Sequence, residues 1–97
     1  MMIEWLKFHV PESLREAFIR KDDEVWTQEM QKFSGFLGKE VWIDPITFDV
    51  VLVIRWESRQ AWEAVPKAKI DYLEKQMGEL TMPLLESQQY QVRKFFH

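Results

Sequence analysis

The 97-residue chain contains no cysteine. That one absence removes disulfides, thiolate zinc sites, a thiol nucleophile and cysteine-held iron–sulfur clusters. Histidine is nearly as scarce. His9 and His97 are the only two, and neither stands at a His-x-x-x-His or carboxylate–His spacing, so no metal site is expected. Glycine is rare as well. Gly35 and Gly38 bracket a turn and form no phosphate loop. Ser13, Ser34, Ser58 and Ser87 fall at caps and turns, and none sits in a Gly-x-Ser-x-Gly elbow. No cofactor is therefore expected. No apolar run reaches about 18 residues, which excludes a membrane-spanning helix and a membrane partner. The opening MMIEWLKFHV lacks the form of a cleavable signal, and with no cysteine the chain reads as cytoplasmic. A formal charge of −3 argues against nucleic acid, which requires a basic face.

What the chain does have is tryptophan, five of them, and one dominant apolar stretch. From Phe48 to Trp56 only Asp49 and Arg55 interrupt it. Phe48, Val50, Leu52, Ile54 and Trp56 share one face of a strand, and Val51 and Val53 the other, the pattern of a central strand covered twice. Ser58 then caps a helix beginning at Arg59. Met2 to Val10 is a second two-faced strand. Leu6, Phe8 and Val10 are on one side with Glu4 as the exception, and Ile3, Trp5, Lys7 and His9 are on the other. Pro11 to Phe33 reads as a long helix, ended by Ser34-Gly35. Phe36 to Asp44 is a strand joined to Phe48–Glu57 through a Pro45-Ile46-Thr47 turn. Pro66 splits the next helical region near Val65. Leu84-Leu85-Glu86 reads as a connector and Ser87 to Phe96 as the last strand.

The order strand, helix, strand, strand, helix, strand is the α+β ferredoxin-like arrangement, in one domain spanning residues 1–97. Right-handed crossovers put both helical regions on one face of a four-stranded antiparallel sheet. The other face is left bare although its central strands carry Trp5, Val51 and Val53. An apolar face of that size implies a partner, most simply a second copy related by two-fold symmetry.

VLVIRWESRQAWEAV resembles the strand-to-helix join of the dimeric α+β barrel superfamily, in its antibiotic biosynthesis monooxygenase-like branch. Trp56, Ser58 and Trp62 match the strand-end Trp, the polar cap and the aromatic one turn into the helix. FSGFLG, Phe33 to Gly38, resembles the turn before the second strand. GFLGKEVWI with RWESRQAW and YQVRKF is also similar to a small uncharacterised cyanobacterial family of about this length, which implies no activity. The resemblance implies a homodimer. Many relatives carry a His after the join, where EAVPKAKIDYLEKQ has none. Haem-degrading members use an Asn on the first strand with a Trp and a His on this helix. This chain has no Asn, Val65 lies near the Trp place and Lys75 near the His place, so haem degradation is not carried over.

Two groups of residues could carry chemistry. At about 100° per residue, Leu14, Phe18, Ile19, Val25, Trp26, Met30 and Phe33 form one arc of the first helix, and Asp22 and Glu29 fall in its middle, flanking Trp26. A carboxylate there is paired, solvated in a cavity or protonated. Either Asp22 is a general base or anchor in a helix–sheet pocket lined by Phe18, Trp26, Glu29 and Trp56, or a kink at Lys21-Asp22-Asp23 turns both acids to water. The second group, Trp5, Lys7, His9, Glu40, Trp42 and Arg55, lies on the face away from the helices. With Val51 and Val53 it reads as a salt-bridged aromatic dimer seam, or as the wall of an internal cavity with His9 near neutral pKa. The functional expectation is binding of a small hydrophobic molecule, or a structural role. The alternative is a cofactor-independent monooxygenase or isomerase acting on a hydrophobic substrate in the helix–sheet pocket.

Overall fold

The two-faced strand β3 (Val50–Trp56) does lie inside the sheet, with only Arg55 reaching the surface. The computed structural model describes all 97 residues. β3 pairs antiparallel with β1 (Met2–Phe8) on one side and with β2 (Phe36–Ile43) on the other. β4 (Leu84–Gln91) closes the order β2-β3-β1-β4. The two strands richest in apolar residues on both faces therefore occupy the two central places. Each fully buried Val, Leu or Ile contributes roughly 1.5–3 kcal/mol relative to exposure, so the centre of the sheet is where this chain gains most.

The helical layer covers one face. It consists of α1 (Arg15–Asp22), α2 (Gln28–Met30), α3 (Arg59–Glu63) and α4 (Lys67–Gln76). Phe18 and Met77 from this layer join Met2, Val10, Val50, Leu52, Ile54 and Trp56 in the core. Ser58 caps α3 by accepting from Ala61 N–H at 3.1 Å. Pro66 stands as the N-cap of α4, and its carbonyl accepts from Lys69 and Ile70. Gly35 adopts φ +89°, and a Cβ there would meet Ala61 Cβ at 2.5 Å. Its carbonyl accepts from Glu57 N–H at 2.7 Å, which fastens the turn before β2 to the join after β3.

Three sequence expectations need correction. The long first helix is not uniform. Between α1 and α2, Asp23–Thr27 forms a π-helical turn in which Gln28 N–H donates to the Asp23 carbonyl. Such a turn is wider than an α turn and re-aims the helix beyond it. The last strand runs Leu84–Gln91, not Ser87–Phe96. Leu84 pairs with Phe8 across a bulge, Gln91 faces Met2, and Val92 N–H still donates to the Met1 carbonyl at 2.9 Å, the last bond this strand makes to β1. Finally, Phe48 lies outside β3. It takes φ +64° in the loop, where its N–H donates to the Asp44 carbonyl at 2.9 Å, and its ring is exposed.

Candidate functional site

A cavity of about 360 Å³ lies between the helical layer and the sheet. That is the size of a small-molecule site. Its wall is mostly apolar. Leu6, Phe8, Leu52, Ile54 and Trp56 form the sheet side, and Phe18, Trp26, Met30, Trp62 and Leu73 the helical side. Phe36 packs edge-on against Trp56 with ring centroids 5.8 Å apart, and Phe8 lies 5.4 Å from Phe18. These contacts hold the floor in place.

Four charged side chains line this space; Glu74 is exposed, whereas Asp22, Lys39 and Glu4 lie within it. Asp22 is the last residue of α1, directly before the π turn. Lys39 sits opposite Ile54 on the helix-facing side of β2. Its ammonium donates to Asp22 Oδ2 at 2.6 Å and to Thr27 Oγ1 at 2.9 Å. Both side chains of the pair are 4% exposed. Burial pushes the Asp22 carboxyl above its ordinary value, and the bonded ammonium offsets only part of that. Glu4, on β1, has no cation bonded to it. Trp56 Nε1 donates to its Oε1 at 3.4 Å, and the Trp62 indole pulls its carboxyl the same way. Burial raises the Glu4 carboxyl too, against the weaker pull of the two indoles and of Lys39. An acid held up in this way is suited to holding, taking or returning a proton.

Of the expected pocket residues, the fold brings Asp22, Trp26, Phe18 and Trp56 into one wall. Asp22 is not turned to water, being 3% exposed; the helix break comes after it, at Asp23–Thr27. Glu29 is placed elsewhere. It lies at the surface between Lys32 and Lys69, at 3.2 and 3.1 Å. The π turn makes the chain lag the count of about 100° per residue, which rotates Glu29 to the rim while Met30 stays inside. Sequence reasoning missed Glu4 and Lys39. Glu4 was the one polar residue on the apolar side of its strand. Lys39 alternates with the outward Glu40, which already implied that it points at the helices.

On the opposite face, Trp5, Trp42, Val51, Val53 and Arg55 share one side, with Trp5 and Glu40 flanking Val53, and Lys7 and Trp42 flanking Val51. Val51 and Val53 are already buried within a single chain, so the accessible part of this face is its tryptophans and charges. Arg55 donates from Nε and Nη2 to Glu40 Oε1 at 3.1 and 2.7 Å, and Trp42 Nε1 donates to Glu40 Oε2 at 3.0 Å. His9 stands at the end of the sheet, its Nδ1 3.3 Å from Asp49 Oδ1. Lys7 and Thr47 also meet Asp49, and the Thr47 bond, helped by His9 and Lys7, holds its carboxyl below the ordinary value. No three metal-ligating side chains converge, and no helix is long and apolar enough to cross a membrane.

No protein-family model matches the chain, and no curated protein matches it in sequence. Solved structures do match its fold. A monooxygenase of Streptomyces coelicolor from the gene ActVA-Orf6, in complex with nanaomycin D, aligns with TM-score 0.79 and 16% identity over 99% of this chain and 90% of that one. Rv0793 of Mycobacterium tuberculosis aligns with TM-score 0.69 and 17% identity over 97% and 96%. A Nitrosomonas europaea protein named as an antibiotic biosynthesis monooxygenase aligns with TM-score 0.72 and 14% identity over 97% and 100%. The chain thus has the ferredoxin-like fold of antibiotic biosynthesis monooxygenase-like proteins.

Proposed function

We propose that the helix-side cavity binds a small, largely apolar molecule. The observation that carries this reading is the set Glu4, Asp22 and Lys39 within a largely apolar, aromatic wall. Buried ion pairs are poor stabilisers, and apolar residues of the same volume commonly serve a core as well or better. Polar groups retained at a cavity wall suit the polar end of a ligand. The test is calorimetric titration with a neutral bicyclic probe, 2-(1-naphthyl)ethanol. Saturable binding of one molecule per chain is expected, and Val65→Trp, which fills the space, should abolish it. Unchanged affinity in that variant would place any binding elsewhere.

A second reading is catalysis without a cofactor, as a monooxygenase or isomerase, with Glu4 or Asp22 taking a proton from the substrate. It is favoured by the two raised carboxyls and by the structural neighbour called a monooxygenase. In such an oxygenation the phenol itself is the reductant. It gives its proton to a carboxylate and two electron pairs to dioxygen, so that one oxygen atom enters the ring as a quinone carbonyl and the other leaves as water. Oxygen uptake with 1,5-dihydroxynaphthalene tests this. Protein-dependent uptake of one O2 per quinone supports catalysis, and uptake equal to the protein-free rate removes it.

The open face supports assembly of two copies as a homodimer. Trp42 and Tyr90 are about half exposed there, next to the Glu40–Arg55 pair. Exposed aromatics with paired charges make a self-complementary surface under two-fold symmetry.

A further inference from the structure

Four ionisable side chains line the cavity: Glu4 from β1, Asp22 from α1, Lys39 from β2 and Glu74 from α4. Three are acids and one is a base. The base is committed, because the Lys39 ammonium is bonded to Asp22 and Thr27. Glu4 receives a hydrogen bond from the Trp56 indole at 3.4 Å. That donor is neutral, and Lys39, already bonded to Asp22 and Thr27, offsets the Glu4 charge only in part. A carboxylate in an apolar space without a countercharge is costly. It can take up a proton, or it can wait for a cation that arrives with the ligand. The surrounding wall favours the second outcome, since aromatic rings attract cations and Trp26, Trp56 and Trp62 all line the space. An anionic ligand would meet a net negative wall.

We infer that the cavity takes an apolar organic cation, a protonated amine on an aromatic body, with its ammonium set against Glu4 among the tryptophans. This rests on the binding reading above and names the chemical class of the ligand. Asp22 and Lys39 neutralise each other, and Glu4 is the group that discriminates. A protonated amine gives Glu4 both a charge-assisted hydrogen bond and a countercharge, whereas an alcohol gives it only a hydrogen bond. The cation also favours the ionised form of Glu4, opposing the upward push of burial.

The experiment uses three probes of one skeleton on the intact protein: 2-(1-naphthyl)ethylamine, 2-(1-naphthyl)ethanol and 1-naphthylacetate. In calorimetric titrations at neutral pH the amine is expected to bind on the order of tenfold tighter than the alcohol, and the acetate weakest. Glu4→Gln should collapse the amine-to-alcohol affinity ratio to about one. Equal affinity of amine and alcohol for the native protein, or tighter binding of the acetate, overturns the inference and leaves the cavity reading standing. No binding by any of the three overturns both. Should Glu4→Gln not fold, the native protein decides. The amine-to-alcohol affinity ratio should rise as pH climbs through and above the ordinary glutamate range and Glu4 loses its proton, and a flat ratio contradicts the assignment.

Discussion

Glu4 and Glu40 occupy opposite faces of one sheet. Each accepts a hydrogen bond from an indole, Glu4 from Trp56 and Glu40 from Trp42. Their carboxyls nevertheless move in opposite directions. Burial raises Glu4, whereas the Arg55 guanidinium, with Trp42, holds Glu40 below the ordinary value. The difference lies in who supplies the countercharge. On the open face the protein supplies it from β3 itself. On the helix side no cation bonds Glu4, and Lys39 offsets its charge only in part. The open face is therefore electrostatically complete and suited to packing, while the helix-side cavity is incomplete and suited to a ligand.

The largest expected contrast is between the tryptophans of the two faces. Trp56 is 1% exposed and Trp42 45%. Trp56→Ala should cost roughly 3–5 kcal/mol in denaturant unfolding. Trp42→Ala should change the stability of an isolated chain by less than about 0.5 kcal/mol. Its effect belongs instead to assembly, where Trp42→Glu should convert a particle of twice the chain mass to a monomer in light scattering at micromolar concentration. A native monomer under those conditions would remove the homodimer.

Next comes Lys39→Met, which strands Asp22 in the apolar wall. Breaking a buried pair from one side costs roughly 3–5 kcal/mol. Without the ammonium the folded-state value of Asp22 rises further, so the penalty is present at neutral pH and shrinks as acid protonates the carboxyl. The double variant Asp22→Asn/Lys39→Met should recover most of the loss. A deficit independent of pH would mean that the pair is not the source.

Smaller effects are expected from the two glutamates, with opposite signs. A raised folded-state value makes ionised Glu4 a destabilising group. That cost appears as pH rises through the unfolded value and levels off above the folded one, so Glu4→Gln should raise the midpoint of the empty protein at pH 7. A lowered value makes Glu40 stabilising above the unfolded value, with the gain lost as pH falls through the folded one. Glu40→Gln should lower stability by about 0.2–1 kcal/mol, the range of a solvent-screened surface pair. Matching signs in urea unfolding at pH 7 would erase the contrast between the faces.

Much of the sheet was legible because alternation leaves little freedom. Trp5, Glu40, Trp42 and Arg55 fall on the side that counting by twos assigns them, and β1 and β3 are central because both faces of each are apolar. Asp22 was legible as an acid in an apolar arc. Its partner, 17 residues away across the layer, required combining the helix arc with the strand parity of Lys39. The π turn left no trace, since nothing in DDEVWT forbids an ordinary helix, and Glu29 was misplaced for that reason. The end of β4 follows its pairing with β1, whose last bond runs from Val92 N–H to the Met1 carbonyl, a tertiary limit that Tyr90 to Phe96 cannot announce. Phe48 looked like strand because its apolar character continues that of β3, while its positive φ comes from closing the Asp44–Asp49 loop.

Ligand occupancy of the cavity is most directly read from the methionine methyls. Of the five methionines, Met30, Met77 and Met82 line the cavity, and Met1 is exposed. With 13C-methyl-labelled protein titrated with 2-(1-naphthyl)ethylamine, ring-current shifts are expected at Met30, Met77 and Met82 on one saturating curve, with Met1 unmoved. Shifts confined to Met1, or none at any methyl, would contradict the claim that the space between helices and sheet is a binding site.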